Sequence, residues 1–363
     1  MKILMLNYEF PPIGGGGAAV CRELCDKLSE HGHSIDVVTM GYKGLPALER
    51  QGNVIIRRVR CWRTQDRVCH PWEQLTYCLS AYIYISRQLN VKSYDFVHAH
   101  FIIPTGLLAL CLKHFLGIPY MLTAHGSDVL GHNKKRFSIL YRIVKPLWKI
   151  ILSQSRLVTA PSDYLIDKIH ASYPMRSIEL VPNGINVADY CPGEKKKFFI
   201  TLTRLQESKG VQDLLRACAE IDMHGWNVYI LGDGPYRQQL EQMSEKLGLA
   251  GRIVHFKGHV TGEARLQYLA EAGGFFSGSQ FEAFSLSVLE ASLCGCNIVA
   301  SRIEPHITLV GKEHTYSNFE ELKRMLADVT AQSPGNIDYG NRSYDWEYIY
   351  KIYEKQYRKM INE

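Results

Sequence analysis

The sequence predicts an α/β protein with two doubly wound domains, and three observations support this. The chain has 363 residues, more than one hydrophobic core usually accommodates. Short apolar runs alternate with amphipathic stretches, which is typical of βαβ units and parallel sheets. A polar segment, residues 189–197, separates two such series. We therefore predict an N-terminal domain at 1–189, a C-terminal domain at 190–345 and a final helix at 346–363.

Strands are predicted wherever a short apolar run lies between helix-length segments. The first helix, about residues 18–30, carries Val20, Leu24 and Leu28 on one stripe and ends before Gly32, a position that suits left-handed backbone. In the final helix Tyr350, Tyr353 and Tyr357 recur on one face. The predicted strands are 2–7, 34–40, 54–60, 95–100, 120–124, 156–160 and 178–181 in the first domain, and 198–203, 227–231, 253–256, 274–277 and 297–300 in the second.

Composition excludes several classes of protein. With 46% hydrophobic and 21% charged residues, the chain is neither disordered nor fibrous. The best apolar run, residues 105–116, is interrupted by Lys113 and His114, so no membrane span is expected. The first residues lack a secretory apolar region, which predicts a cytoplasmic protein. The ten cysteines lack zinc-site spacing and are predicted to be reduced core thiols.

Charge is distributed unevenly between the two halves. Residues 1–180 contain 22 Lys and Arg against 13 Asp and Glu, a net charge of +9, whereas residues 181–363 contain 20 against 23, a net charge of −3. A basic first half favours an anionic partner, such as nucleic acid, a phosphorylated substrate or an acidic membrane surface. Composition alone does not choose among these.

A glycine-rich loop joins the first strand to the first helix and includes Gly15, Gly16 and Gly17. Glycines let backbone N–H groups approach a ligand closely, and a helix N-terminus favours a phosphate. The loop is not a dinucleotide fingerprint, because Ala19 stands where the pattern needs glycine and the second strand ends in Met40 rather than an acid. A dehydrogenase is therefore not favoured, and a simple flexible turn remains the alternative.

The second half contains a sharper set of charged residues. Arg204 and Lys209 follow a strand, where a bidentate guanidinium and an ammonium suit a diphosphate; solvated surface charge is the alternative. Glu282 lies in a loop and Glu290 on a short helix whose N-terminus, near residues 285–287, offers donors to an anion. The two carboxylates could accept hydrogen bonds from sugar and ribose hydroxyls. Alternatively, Ser287 and Glu290 form a capping box.

Histidines end two neighbouring strands of the first domain, and both strand ends are expected at the ligand-binding edge. His125 could bind a hydroxyl or a reacting oxygen, or it could be a satisfied polar group without function. A metal site from His98, His100, His125 and Asp128 is not favoured, because we expect the side chains of His98 and His100 to point to opposite faces of their strand.

Taken in order, the motifs resemble the family 4 glycosyltransferases of the GT-B fold, retaining enzymes that use nucleotide sugars. The resemblance is nearly chain-long and rests on PPIGGGG, GHSIDVVTM, DFVHAH, TAHGSD, VPNGIN, TRLQESKG, LGDGP, HFKGHV and FEAFSLSVLEASLCGCNIVAS. It implies two Rossmann-like domains facing a central cleft, an acceptor-side N-terminal domain and a donor-binding C-terminal domain whose last helix returns to the first. The segment SRIEPHITLVG departs from the family, which often has a glycine pair before Pro-Glu.

The resemblance also implies roles for individual residues. It implies catalytic roles for His125, Arg204, Lys209 and Glu282. His125 lies near the reacting sugar. Arg204 and Lys209 hold the diphosphate, and Glu282 contacts hydroxyls of the donor sugar. Glu290 contacts the donor ribose. The remaining implied donor-binding positions are Gly15, Gly16, Gly17, Gly232, Gly234, Val260, Phe284, Ser285 and Leu286.

The function implied is metal-independent, retaining transfer of a hexosyl unit from a UDP- or GDP-sugar to a glycan acceptor. No Asp-x-Asp pair offers a metal clamp, so no metal or other cofactor is expected, nor is nucleic acid. We expect a lipid-linked acceptor, as in lipopolysaccharide or exopolysaccharide assembly. Residues 134–155 mix six cations with Phe137, Leu140, Tyr141, Leu147 and Trp148, a composition suited to an anionic membrane, although a core helix with a basic outer face also fits. A GT-B epimerase and a catalytically silent subunit of a glycan assembly complex are the rival functions.

Overall fold

A computed structural model of the chain describes residues 1–66, 68–130, 138–174 and 177–362, with the side chains of residues 138–143 left out. The chain forms two compact units. Unit 1 comprises Met1–Gly184 and Trp346–Glu363, and unit 2 comprises Ile185–Asp345. Each unit is a parallel α/β domain. In the described part of the chain, no helix is long and apolar enough to cross a membrane.

In unit 1 the sheet order is β3-β4-β2-β1-β5-β6-β7-β8, with β3 antiparallel to β4 and the other pairs parallel. The strands are β1 (Lys2–Leu6), β2 (Ser34–Met40), β3 (Leu48–Gln51), β4 (Val54–Val59), β5 (Phe96–His100), β6 (Tyr120–Thr123), β7 (Leu157–Ala160) and β8 (Glu179–Leu180). The helices are α1 (Gly16–Glu30), α2 (Pro71–Gln88), α3 (Thr105–Leu116), α4 (Ser138–Gln154), α5 (Asp163–Ser172) and, at the end of the chain, α12 (Trp346–Asn362).

In unit 2 the sheet order is β11-β10-β9-β12-β13-β14, and all recorded pairs are parallel. The strands are β9 (Lys196–Leu202), β10 (Asn227–Leu231), β11 (Val254–Gly258), β12 (Ala272–Ser277), β13 (Asn297–Ser301) and β14 (Thr315–Tyr316). The helices are α6 (Val211–Glu220), α7 (Arg237–Lys246), α8 (Gly262–Glu271), α9 (Leu286–Leu293), α10 (Glu304–Val310) and α11 (Phe319–Thr330).

The helices cover the sheets with the apolar faces that their sequences predict. Val20, Leu24 and Leu28 of α1 are buried, and Gly32 has the left-handed backbone expected after this helix, with φ 81°. Helix α12 packs on α1, and its three predicted tyrosines are all buried. Two helices begin at side-chain caps: Ser162 accepts from the N–H of Leu165, and Asn318 from that of Glu321.

Short, polar or glycine-rich elements are where the sequence-based predictions fail. Strand β3 was not predicted, because its sequence LERQ shows no alternation of apolar and polar residues. It pairs antiparallel with β4 at the edge of the sheet. Strand β14 has two residues. Helix α1 begins at Gly16 rather than Ala18, because glycine carries no helical signal. All ten cysteines are free thiols, and six of them are buried, whereas Cys191 is exposed.

Candidate functional site

The strand order of unit 2 creates a topological switch point between β9 and β12. The chain leaves β9 toward β10 on one side and leaves β12 toward β13 on the other, so their connections diverge. Ligands of such sheets bind in the crevice at the carboxyl ends of the strands flanking this point. The two loops that begin there are residues 203–210 and 278–285, which contain most of the charged residues singled out in the sequence.

Close backbone packing joins these two loops. A Cβ atom on Gly210, whose φ is +71°, would lie 2.3 Å from the carbonyl oxygen of Gly278, so only glycine allows this approach. The N–H of Gln280 donates to the carbonyl of Ser208 at 2.9 Å. The loop after β9 is therefore fastened to the loop after β12.

This packing brings Lys209 and Glu282 into contact. The ammonium of Lys209 lies 2.6 Å from Oε1 of Glu282, and each side chain is about one-fifth exposed. The hydroxyl of Ser279 donates to the same oxygen at 2.8 Å. Arg204, on the same loop as Lys209, has an exposed side chain. The switch point thus holds two cations, of which one is already hydrogen-bonded to a carboxylate.

Helix α9 begins beside this group. Its N-cap is Ser285, and no side chain caps it. The Ser285 side chain is buried, and its Oγ has no hydrogen-bond partner among the described residues. Phe284 lies against Tyr344, with ring centroids 5.6 Å apart, and Leu286 is the first helical residue. First-turn amides and the positive dipole end of a helix favour an anion, so this helix start could bind one.

Glu290 lies one turn further along α9, in a buried charged cluster. Its Oε1 accepts a hydrogen bond from the Tyr190 hydroxyl at 3.0 Å, and Arg265 is paired with its Oε2. Burial raises the pKa of the Glu290 carboxyl, and Arg265 opposes that rise. The alternative of a capping box is wrong, because Ser287 lies inside the helix and Glu290 bonds to Tyr190 and Arg265.

Gly232 and Gly234 follow β10 and pack against the segment that holds Arg204. A Cβ on Gly232, with φ +147°, would lie 1.9 Å from the Thr203 carbonyl oxygen, and one on Gly234 would lie 2.2 Å from that of Leu205. Both glycines are therefore required for close backbone contact. Val260 follows β11 and packs, partly buried, on the hydrophobic core of unit 2.

The switch point of unit 1 lies between β1 and β5, and the glycine loop follows β1. Gly15 is the N-cap of α1 without a side-chain cap, and both Gly15 and Gly16 are exposed. A Cβ on Gly17 would lie 2.6 Å from the Phe101 ring and 3.3 Å from Nδ1 of His125. Gly17 thus lets α1 begin against these two rings.

The histidines form a chain of contacts on one face of the sheet. The expectation that His98 and His100 point to opposite faces is wrong: residues two apart on a strand share a face, and the two rings lie 4.4 Å apart. Nδ1 of His100 lies 2.9 Å from Nε2 of His125, and Nδ1 of His98 lies 2.8 Å from the Tyr357 hydroxyl. Within the described residues, no three His, Cys, Asp or Glu side chains form a metal-binding group.

Burial keeps the imidazoles of His98 and His125 neutral. Withdrawal from water, together with the nearby His100, lowers the pKa of His125 well below its usual range, and burial does the same for His98. Asp128 accepts hydrogen bonds from the N–H groups of Ile102 and His125, and its burial raises its pKa to about 6. At neutral pH His125 is therefore suited to hydrogen bonding rather than to acting as an acid.

Comparison with known proteins identifies the family. Residues 14–189 match the model of Glycosyltransferase Family 4, and residues 187–329 match that of Glycosyl transferases group 1. The chain belongs to the family 4 glycosyltransferases of the GT-B fold. An uncharacterized glycosyltransferase of Methanocaldococcus jannaschii is 28% identical over 84% of this chain and 81% of its own length.

Solved structures agree with the fold of this glycosyltransferase. Sucrose-phosphate synthase of Thermosynechococcus elongatus superposes with a TM-score of 0.82 at 17% identity, over 99% of both chains. The HepE protein of Anabaena, solved in complex with UDP-glucose, superposes with a TM-score of 0.78 at 18% identity, over 99% of this chain and all of that one. The predicted GT-B fold is confirmed.

Sequence reasoning missed several residues of the glycosyltransferase's unit 2 site. Tyr190 and Arg265 contact Glu290 from distant parts of the chain, and no spacing pattern connects them. Gly210 and Gly278 are needed for the contact between the two loops. The position of Gly210 directly after Lys209 is the one feature of the sequence that could have pointed to this contact. Ser279 holds Glu282 from three residues away.

The basic segment at residues 134–155 needs a correction. Residues 134–137 and the side chains of Leu140 and Tyr141 lie outside the described residues. Trp148 is fully buried, and its indole N–H donates to the Asp128 carbonyl at 3.0 Å. Trp148 therefore belongs to the core of unit 1 and cannot contribute to a membrane-facing surface.

Proposed function

We propose that this glycosyltransferase transfers a hexosyl unit from a UDP- or GDP-sugar, with retention of anomeric configuration and without a metal ion. The observation that carries the proposal is the group at the unit 2 switch point: the Lys209–Glu282 pair, the exposed Arg204 and the uncapped start of α9. Together they offer a diphosphate two cations and a set of backbone donors. The Anabaena structure, solved with UDP-glucose, supports a uridine nucleotide as the first donor to test.

In this proposal, Arg204, Lys209 and the α9 amides stabilise the charge that develops on the leaving diphosphate. Donors fixed in advance toward developing charge are the largest catalytic contribution in many enzymes. Because the cations come from the protein, no metal clamp is required. Same-face attack, assisted by the leaving phosphate, is the route that family resemblance suggests.

Glu282 and Glu290 hold the donor's sugars. Among the described residues, Lys209 and Ser279 both hydrogen-bond Oε1 of Glu282, so Oε2 can accept from a hexose hydroxyl. Arg265 and Tyr190 fix the Glu290 carboxylate, and each of its oxygens keeps a second lone-pair site for a ribose hydroxyl. The close glycines after β10 hold the Arg204 segment in place.

We assign the acceptor to unit 1, in which the neutral His125 can hydrogen-bond a sugar hydroxyl. The net charge of +9 over residues 1–180 suits an anionic acceptor or membrane. A lipid-linked oligosaccharide on the inner face of the cell membrane fits this charge. Surface polysaccharide assembly, of lipopolysaccharide or exopolysaccharide, is the process in which such an enzyme acts.

The test is a transfer assay in EDTA with UDP-, GDP- and ADP-hexoses and lipid-linked oligosaccharide acceptors, with the product's anomeric configuration read by NMR. We expect one donor class to be used, with retention, and a Glu282→Ala, Arg204→Ala double variant to lose at least about a thousandfold in rate. The matched control is Glu220→Ala, Arg216→Ala, whose side chains are about half exposed. An inverted product, or full activity of the double variant, would overturn the proposal. Acceptor-independent release of an isomerised sugar would identify an epimerase.

A further inference from the structure

Helix α2 exposes an apolar stripe to solvent. Trp72, Leu75, Leu79 and Ile83 are 46%, 65%, 64% and 43% exposed. Their spacing of three, four and four residues confines them to an arc of about 80°, over a length of about 16 Å. They share one face of the helix.

The stripe is not needed for the core of unit 1. The opposite face of α2 carries Tyr77, Cys78, Ala81 and Ile85, which are buried. A surface helix with one buried face normally carries polar residues on the other. Single exposed apolar residues are common, but a continuous group indicates a contact with another body.

Neighbouring aromatic rings extend the stripe. Trp62, 70% exposed, packs edge-to-face with Trp72 at 5.8 Å between centroids. Phe115 of α3, 66% exposed, packs against Tyr82 of α2 at 6.2 Å, and α3 packs along α2. We call the following group the α2 apolar surface: Trp62, Trp72, Leu75, Leu79, Ile83 and Phe115.

The exposed charges on α2, on α3 and on α4, which packs on α3, are positive among the described side chains. Among the described side chains of α2, α3 and α4, the single acid is Glu73, which is fully buried and accepts from the backbone N–H groups of Thr64 and His70. The same helices carry four cations: Arg87, Lys113, Lys145 and Lys149. Asp66, four residues after Trp62, is an exposed acid outside these helices. Apolar and tryptophan side chains beside helices whose exposed charges are positive are the composition of a surface that binds anionic lipid. A second copy of the chain would bring like charges together.

We propose that the α2 apolar surface inserts into the interface of an anionic membrane. This deepens the membrane part of the proposed function, and it involves no residue of the unit 2 site. It also replaces the sequence-based expectation for Trp148, because the exposed tryptophans are Trp62 and Trp72.

Tryptophan fluorescence tests the proposal directly. Of the five tryptophans, Trp148, Trp226 and Trp346 are at most 2% exposed, so only Trp62 and Trp72 can enter lipid. With vesicles of equal phosphatidylglycerol and phosphatidylcholine, we expect a blue shift and quenching by brominated lipid. Both signals should disappear in Trp62→Phe, Trp72→Phe. Wild-type emission that does not respond to these vesicles would overturn the proposal.

Vesicle flotation supplies a second test with a matched control. Leu75→Glu, Leu79→Glu should weaken binding to the same vesicles by about tenfold or more. Leu48→Glu, Leu180→Glu, which alters exposed leucines elsewhere in unit 1, should bind like wild type. Equal flotation of both variants, or binding that is insensitive to phosphatidylglycerol content, would contradict the assignment. The assignment would also be contradicted if the wild type did not bind vesicles but sedimented as a dimer that Leu75→Glu, Leu79→Glu failed to form.

The two proposals fail separately. Nucleotide binding by Leu75→Glu, Leu79→Glu should equal that of wild type, because these residues lie outside unit 2. Loss of membrane binding with intact nucleotide binding would therefore concern the α2 apolar surface alone. Absence of nucleotide binding in the wild type, together with normal flotation, would concern the proposed donor site alone.

Discussion

Removing Arg265 should destabilise unit 2 by leaving the Glu290 carboxylate buried without its cation. The Glu290 side chain is 11% exposed and that of Arg265 is 26% exposed. Breaking a buried pair by removing one partner costs about 3–5 kcal/mol, whereas exposed pairs contribute about 0.2–1 kcal/mol. Because a quarter of Arg265 is in water, we expect the low end of the buried range. The free energy of unfolding should fall by about 3 kcal/mol in Arg265→Ala at pH 7.

The pH dependence provides a second check on the same variant. Burial already raises the pKa of Glu290, and loss of Arg265 should raise it further. A carboxyl with a raised pKa in the folded protein binds more protons there than in the unfolded chain, so stability rises as pH falls through that window. The loss caused by Arg265→Ala should therefore shrink between pH 7 and pH 5.

Urea unfolding followed by circular dichroism measures both effects. The control is Arg265→Met, Glu290→Leu, which replaces the pair by apolar side chains and should unfold within about 1 kcal/mol of wild type. The reasoning is refuted if Arg265→Ala unfolds within about 0.5 kcal/mol of wild type. A double variant as unstable as the single one would refute it as well.

Three further predictions concern single residues. Gly232→Ala should lower the free energy of unfolding by about 2–4 kcal/mol, because its Cβ would meet the Thr203 carbonyl at 1.9 Å; Gly248→Ala, with open space at φ +66°, should cost about 1 kcal/mol. Asp128 has a pKa of about 6 in the folded protein, whereas an aspartate of the unfolded chain titrates near pH 4. Between these two pH values the folded protein binds more protons than the unfolded chain, so its free energy of unfolding should fall by about 3 kcal/mol as pH rises from about 4 to about 6. That slope should be absent in Asp128→Asn, measured by urea unfolding. Ser285→Ala should leave the melting temperature unchanged, because its buried hydroxyl has no partner among the described residues, while calorimetry should show about five- to tenfold weaker nucleotide binding.

The sequence predicted the sheets well where apolar runs were long. The bounds of β2 and β10 agree with the predicted strands, because these segments are buried and bordered by polar turns. It could not predict β3 or β14, since a polar edge strand and a two-residue strand carry no periodic signal. The shared face of His98 and His100 follows from the two-residue period of a strand, so local geometry alone contradicts the expectation of opposite faces.

Within the site, the sequence could predict positions but not contacts. Lys209 and Glu282 follow different strands of one parallel sheet, so both lie at its carboxyl edge. Their 2.6 Å contact depends on the backbone approach of Gly210 and Gly278. The cluster around Glu290 was beyond sequence reasoning, because Arg265 reaches it from another helix.

Nucleotide binding to the unit 2 site is the central claim, and calorimetry in EDTA with UDP, GDP and ADP tests it most directly. One nucleotide should bind, and at about 100 times its dissociation constant it should stabilise the protein by about 2.7 kcal/mol. Arg204→Ala should abolish this binding, whereas Arg216→Ala, an exposed cation on α6, should not change it. Binding that survives Arg204→Ala, or no binding of any of the three nucleotides, would contradict the account.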